Sequence, residues 1–206
     1  MSYVIENYGY TEEEAYSWCS TTPDSQYGCA DSCMDTEDCM PGDVNADQLV
    51  NVQDIVSIVL CILDGTCDFE ASCGDINFDG LVNVQDVVAI VSYILGGRTT
   101  SDATESILEI SNGTVNLIAN GFVGAVQMTV NHNHGFTIQL TEQAMVTEYR
   151  TNSNSTELII VAPSSNHLFD AKGDFSIEAI QVYNSEELVP VSAMPNELVL
   201  SKAYPN

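Results

Sequence analysis

The chain has 206 residues, with 30 acidic side chains against 4 basic ones and a formal net charge of −26. Apolar residues make up 45% and charged residues only 17%, so this is no disordered acidic tail, and a sizeable core can form. Arg98, Arg150, Lys172 and Lys202 are scattered along it, which excludes a nucleic-acid surface built on clustered Lys and Arg, and anionic membranes with it.

No run approaches the roughly 20 continuous apolar residues of a membrane span. The start, Met1-Ser2-Tyr3-Val4-Ile5-Glu6, lacks the basic region and apolar stretch of a signal peptide. Yet Cys19, Cys29, Cys33, Cys39, Cys61, Cys67 and Cys73 crowd the first part of the chain, and none follows. That density suits an oxidising exterior. A chain that is exported and already trimmed satisfies both observations. Cys29-x3-Cys33 and Cys67-x5-Cys73 are poor zinc spacings with no His among them, so disulfides are expected. The odd thiol is then free, joined to another chain, or paired outside this sequence.

Residues 1–41 form a polar, Cys-rich arm. Thr11-Glu12-Glu13-Glu14 reads as a capping box with Thr11 as N-cap. A short helix through about Cys19 follows, ended by the Ser20–Pro23 cluster. Tyr3-Val4-Ile5 suits an edge strand that could add to a neighbour's sheet.

Residues 42–98 contain a duplication. Asp43–Gly65 and Asp75–Gly97 align without gaps at a spacing of 32, with 15 of 23 positions identical. Oxygen-bearing side chains recur at loop positions 1, 3, 5, 9 and 12: Asp43, Asn45, Asp47, Asn51 and Asp54, then Asp75, Asn77, Asp79, Asn83 and Asp86. Alternate positions in a tight loop turn their oxygens inward, and the backbone carbonyl of Leu49 or Leu81 at position 7 adds a ligand. Such hard oxygens suit two Ca²⁺ ions, because Mg²⁺ prefers to keep its waters. Position 12 is Asp instead of the usual Glu, and position 6 is Gly80 in the second loop but Gln48 in the first. A side chain is penalised where φ is positive, so the first loop is expected to bind more weakly. Val50 and Val82 at position 8 are expected to pair the loops in a short strand contact.

Helices are predicted over Val52–Leu63 and Val84–Leu95, stopped by Gly65 and Gly96-Gly97. Val87, Val88, Ile90, Val91, Ile94 and Leu95 give the second an apolar face too wide for a lone helix in water. No helical pattern precedes either loop, since Gly42 and Gly74 stand directly before the first ligand. A duplicated loop–helix unit lacking its entering helix resembles the dockerin type I family over residues 42–97. The resemblance implies two calcium sites and docking onto a cohesin, a β-sandwich. It places the recognition positions, loop positions 10 and 11, on Val52-Gln53 and Val84-Gln85. The same dipeptide in both copies makes a symmetric pair of binding orientations conceivable. Family members often carry Ser or Thr there, so no partner specificity transfers. Cys61 is expected to pair nearby or with the N-terminal cysteines.

Residues 104–200 change character, with short apolar runs and frequent turn signals. Strands are predicted over 106–110, 114–119, 122–130, 136–140, 145–149, 157–161, 175–182 and 197–200. Asn112-Gly113 and Asn120-Gly121 mark tight reversals. The fold class is therefore α+β in two domains: a calcium loop–helix module and an antiparallel β-sandwich. Gly124-Ala125-Val126-Gln127-Met128 and the strand pattern resemble the cohesin-like or immunoglobulin-like domains that accompany dockerin repeats. Residues 201–206 close the chain as a linker, and Leu200–Asn206 resembles the opening of a type IX secretion sorting domain, which implies a bacterial exporter.

Catalytic chemistry is not expected. No nucleophile elbow, phosphate loop or paired catalytic carboxylate stands in a plausible context. His132-Asn133-His134 reads as a solvated hairpin, and His167 stands alone. Asn112-Gly113-Thr114 and Asn154-Ser155-Thr156 fit the acceptor pattern for N-linked sugar, so glycans join the candidate partners. The expected function is a calcium-stabilised extracellular structural protein whose protein partner is a copy of itself, stacked head to tail, or a cohesin-like domain. Anchoring a larger secreted protein to a cohesin scaffold is the alternative.

Overall fold

Asn51 and Asn83 each open a helix by turning a side-chain oxygen onto a free amide two residues on, and the chain builds outward from those points. The computed structural model describes residues 40–67, 69, 71–96 and 100–193. Helix α1 spans Val52–Asp64 and ends on Gly65; a one-turn helix, α2, spans Ala71–Gly74; α3 spans Val84–Leu95 and ends on Gly96. The turn α2 stands directly before the second loop, where no helical pattern was expected, and it carries Cys73. The two predicted helices lie within a residue of their expected bounds.

Among the described residues nine strands follow: β1 Ser106–Ser111, β2 Thr114–Ala119, β3 Ala125–His132, β4 Thr137–Leu140, β5 Val146–Asn152, β6 Ser155–Val161, β7 His167–Lys172, β8 Phe175–Tyr183 and β9 Val191–Ala193. They form a five-stranded sheet in the order β4-β7-β2-β1-β9 and a four-stranded sheet in the order β5-β6-β3-β8. The class is α+β with a β-sandwich. The pairing is antiparallel except that β9 runs parallel to β1, a departure from the wholly antiparallel expectation. Leu108, Val115, Leu117, Val126, Met128, Val130, Leu158, Ile160 and Phe169 fill the space between the sheets.

Several expectations change. Strands β7 and β9 were not anticipated. Asn112-Gly113 does make the β1–β2 reversal, with both residues at positive φ. Asn120-Gly121 does not reverse the chain within a sheet; it carries it from β2 across to β3 in the other sheet. The Asn120 Oδ1 accepts from the Thr104 amide (2.8 Å) and its Nδ2 donates to the Thr104 hydroxyl (2.8 Å), which holds the crossing in place. The strand expected at 197–200, the arm with its capping box at Thr11, and the segment Leu200–Asn206 lie outside the described residues.

The loop–helix segment and the sandwich lie within one compact unit, Met40–Asn206. Helix α1 packs against α3, β5 and β6, and α3 packs against β3. Strand β6 records this. Leu158 and Ile160 face the core between the sheets, so Ile159 and Val161 must face outward. Both are nevertheless fully buried, because the helices cover that face. No helix among the described residues is long and apolar enough to cross a membrane.

Candidate metal centre

Both copies of the repeat fold into the same loop. Its frame is a set of carboxylate and amide oxygens that receive the loop's own backbone N–H groups. In the first loop Asp43 Oδ1 accepts from the Asp47 amide (3.0 Å) and Oδ2 from the Gln48 amide (2.8 Å). Asn45 Oδ1 accepts from Asp47 (2.9 Å), and Asp47 Oδ1 from Leu49 (2.9 Å). In the second, Asp75 takes the amides of Asp79 (3.0 Å) and Gly80 (2.8 Å), Asn77 that of Asp79 (2.9 Å), and Asp79 that of Leu81 (2.9 Å). Four bonds recur at matching positions.

The end of each loop is a helix start. Asn51 Oδ1 accepts from the Gln53 amide (2.8 Å) while Asp54 Oδ2 reaches back to the Asn51 amide (2.9 Å). Asn83 and Asp86 repeat this at 2.7 and 2.8 Å. The second oxygen of each Asp spans the whole loop. Asp54 Oδ1 accepts from Val44 (3.0 Å), and Asp86 Oδ1 accepts from Ile76 (2.8 Å). Position 12 thus closes the loop onto its first turn and caps the helix at once. The signal for the cap was in the sequence as Asn-x-x-Asp before an apolar run, hidden beneath the metal reading of the same residues.

Asp43, Asp54 and Asp86 are buried, the last two completely, and among the described residues no Lys or Arg pairs with them. Burial pushes the Asp86 carboxyl above its ordinary range, opposed by the amides of Asn83, Asn77 and Ile76. Asp75 nearby adds to the rise. Buried carboxylates without a counter-charge are costly. Among the described residues no three His, Cys, Asp or Glu side chains form a metal-holding group by themselves. A cation would therefore draw on the Asn oxygens and the carbonyls of Leu49 and Leu81 as well. That all-oxygen donor set fits Ca²⁺ and offers nothing to a soft metal.

The loops are not paired through a strand: neither Val50 nor Val82 makes a ladder contact. Their starts are joined instead by the Gly42 amide donating to the Cys73 carbonyl (2.9 Å). Val50 lines a shallow apolar groove with Met40, Pro41, Ile76, Ile90 and Tyr93. Cys61 is bonded to Cys67, and Cys73 is also in a disulfide. Cys19, Cys29, Cys33 and Cys39, with Tyr3, Val4 and Ile5, lie outside the described residues. The two recognition dipeptides differ in setting. Gln53 and Gln85 are exposed, but Val52 is 38% exposed and Val84 only 1%.

His132 is not solvated. It is buried, stacks on Phe136 with ring centroids 4.2 Å apart, and its Nε2 lies 2.9 Å from the Thr156 hydroxyl. His134 is exposed, and His167 lies 3.4 Å from an oxygen of Asp170. Thr156 is fully buried, while Asn154, the residue of the Asn154-Ser155-Thr156 pattern that would carry a glycan, is exposed. Two features of the site carry no sequence signal: the positive φ at Ala46 and Phe78, and the ion pair between Asp64 and Arg150.

No family model matches this chain, and no curated protein matches it. Among solved structures it is similar to a non-cellulosomal cohesin from the hyperthermophilic archaeon Archaeoglobus fulgidus. The identity is 14% and the TM-score 0.31, over 47% of this chain and 86% of that one. The sandwich itself rests on this chain's own strand pairing.

Proposed function

We propose that the two loops bind one Ca²⁺ each and that the chain is a non-catalytic, extracellular structural and interaction protein stiffened by those ions. The observation that carries the reading is the buried carboxylate at position 12 of both loops, held by backbone amides but with no Lys or Arg partner among the described residues, set in the same bonding frame. Asp43, Asn45, Asp47, Asn51, Asp54 and the Leu49 carbonyl would hold one ion. Asp75, Asn77, Asp79, Asn83, Asp86 and the Leu81 carbonyl would hold the other. Bound calcium would supply the missing positive charge; the chain's own residues pre-form the loop, cap the helix and exclude water from position 12.

Calorimetric titration with calcium, and with magnesium as control, tests this. Two sites for calcium and weak or absent binding of magnesium are expected. Melting in excess chelator should fall by roughly 5–10 °C per site if calcium is held at about a hundred times its dissociation constant. An unchanged melting curve would reject the calcium reading.

Stacking between copies is supported by the large apolar side chains left in water on the loop–helix segment: Phe78, Tyr93, Leu81 and Leu49, each more than 60% exposed. The second reading, attachment to a cohesin-like partner, is favoured by the exposure of Val52, Gln53 and Gln85. Surface density of this protein captured by an immobilised β-sandwich partner, in calcium but not in chelator, would support it.

A further inference from the structure

The helices that begin at the two loops form the cover of one sheet of the sandwich. Ile159 and Val161 of β6 point away from the core between the sheets yet are fully buried, and Ala125, opposite Val161 in β3, is fully buried too. Stripping α1 and α3 away would put these side chains in water, which burial of apolar surface opposes.

Two contacts fix the cover. The first is a close approach at Gly124, where a Cβ would come within 2.8 Å of a Val88 methyl of α3. Gly124 is also a node of the sheet: its amide donates to the Tyr183 carbonyl (2.7 Å) at the end of β8, and its carbonyl accepts from Ala162 (2.7 Å) just after β6. Val88 therefore presses on the point where the ends of β6, β3 and β8 are tied together. The second contact is the ion pair from Asp64, at the last turn of α1, to Arg150 of β5. Both groups are about half exposed, so its weight lies in position more than in energy. At the other end of each helix, Asn51 with Asp54 and Asn83 with Asp86 make the loop and the helix start one structure.

We infer that the loop–helix pair and the β5-β6-β3-β8 sheet open as one cooperative unit, so that the state of the loops is transmitted to the sandwich through α1 and α3. Calcium as the trigger rests on the reading above; the mechanical link does not.

Hydrogen exchange of the full chain, read peptide by peptide, tests the link. Chelator, and separately Asp86→Ala, should each speed exchange in β3 and β6 by about tenfold or more. Val88→Ala and Gly124→Val, which loosen the seat of α3, should keep calcium binding by calorimetry while chelator no longer moves β3 and β6. Val88→Ala adds no bulk and decides the matter if Gly124→Val does not fold. If calcium binds and chelator changes only peptides within 43–65 and 75–95, the coupling is overturned and the calcium reading stands. If calcium does not bind, that reading fails and Asp86→Ala alone decides: a frayed α3 above an unchanged β3 and β6 overturns the coupling.

Discussion

Position 6 of the two loops has the same backbone shape made by different residues, Gln48 at φ +70° and Gly80 at φ +89°. A side chain is strained there and glycine is not. Gln48→Gly should stabilise the chain by about 1 kcal/mol, net of the extra freedom glycine has when unfolded. Chemical denaturation in chelator checks this, and equal or lower stability would count against it. Ala46 and Phe78 at position 4 share the strained region, which no pattern of residue types announced. Within the five-stranded sheet, Asp170 of β7 pairs with Thr114 of β2. The Thr114 hydroxyl donates to its carboxylate (2.6 Å), and this bond, with nearby His167, holds the carboxyl below its ordinary range. A depressed carboxyl stabilises the fold above its unfolded titration range, and that contribution is lost as pH falls through the lower, folded value. Thr114→Val should raise the Asp170 midpoint in an NMR titration; a midpoint that stays put refutes the attribution.

The elements were legible where local pattern and tertiary packing agree. The helices follow from apolar spacing between Asn and Gly, β3 and β4 from the alternation of polar and apolar residues in Gln127–Val130 and Thr137–Leu140, and the β1–β2 reversal from Asn112-Gly113. Strand β7, His167–Lys172, was missed because Ser164-Ser165-Asn166 reads as a loop and Leu168 and Phe169, adjacent in sequence, are both buried. Its place is set by β2 and β4 on either side. Three-residue β9 exists only through its parallel register with β1. His132 was misread because the fold sets its partners: Phe136 lies in the connection to β4 and Thr156 in β6. The loops were legible by spacing, but the burial of position 12 was not, because it depends on how the helices sit. Two substitutions test that arrangement. Asn83→Ala removes an N-cap and should cost about 1 kcal/mol. Ile159→Ala should cost about 2–5 kcal/mol, as a core truncation does, although alternation places it on the outside of the sheet. A loss below about 1 kcal/mol by denaturant titration would mean that the helices do not cover it.

At the scale of the whole molecule, charge and apolar exposure oppose each other. Two bound calcium ions would bring −26 only to −22, so copies still repel at long range. Phe78, Tyr93, Leu81 and Leu49 offer apolar contact only at short range. The repulsion reaches about 30 Å at 0.01 M salt and about 8 Å at 0.15 M. If the loops hold calcium as proposed, head-to-tail stacking should need it, because it would offset negative charge beside the exposed apolar side chains, together with salt, which shortens the reach of the charge. Light scattering and electron microscopy of the same preparation should show monomers at low salt and open chains of subunits at physiological salt with calcium. Phe78→Asp should suppress the chains without unfolding the loop, since its side chain is 77% exposed. Monomers under every condition would remove self-assembly and leave attachment to a different protein as the reading in force. Chains that persist in chelator would instead separate assembly from the loops, and place the contact on the sandwich.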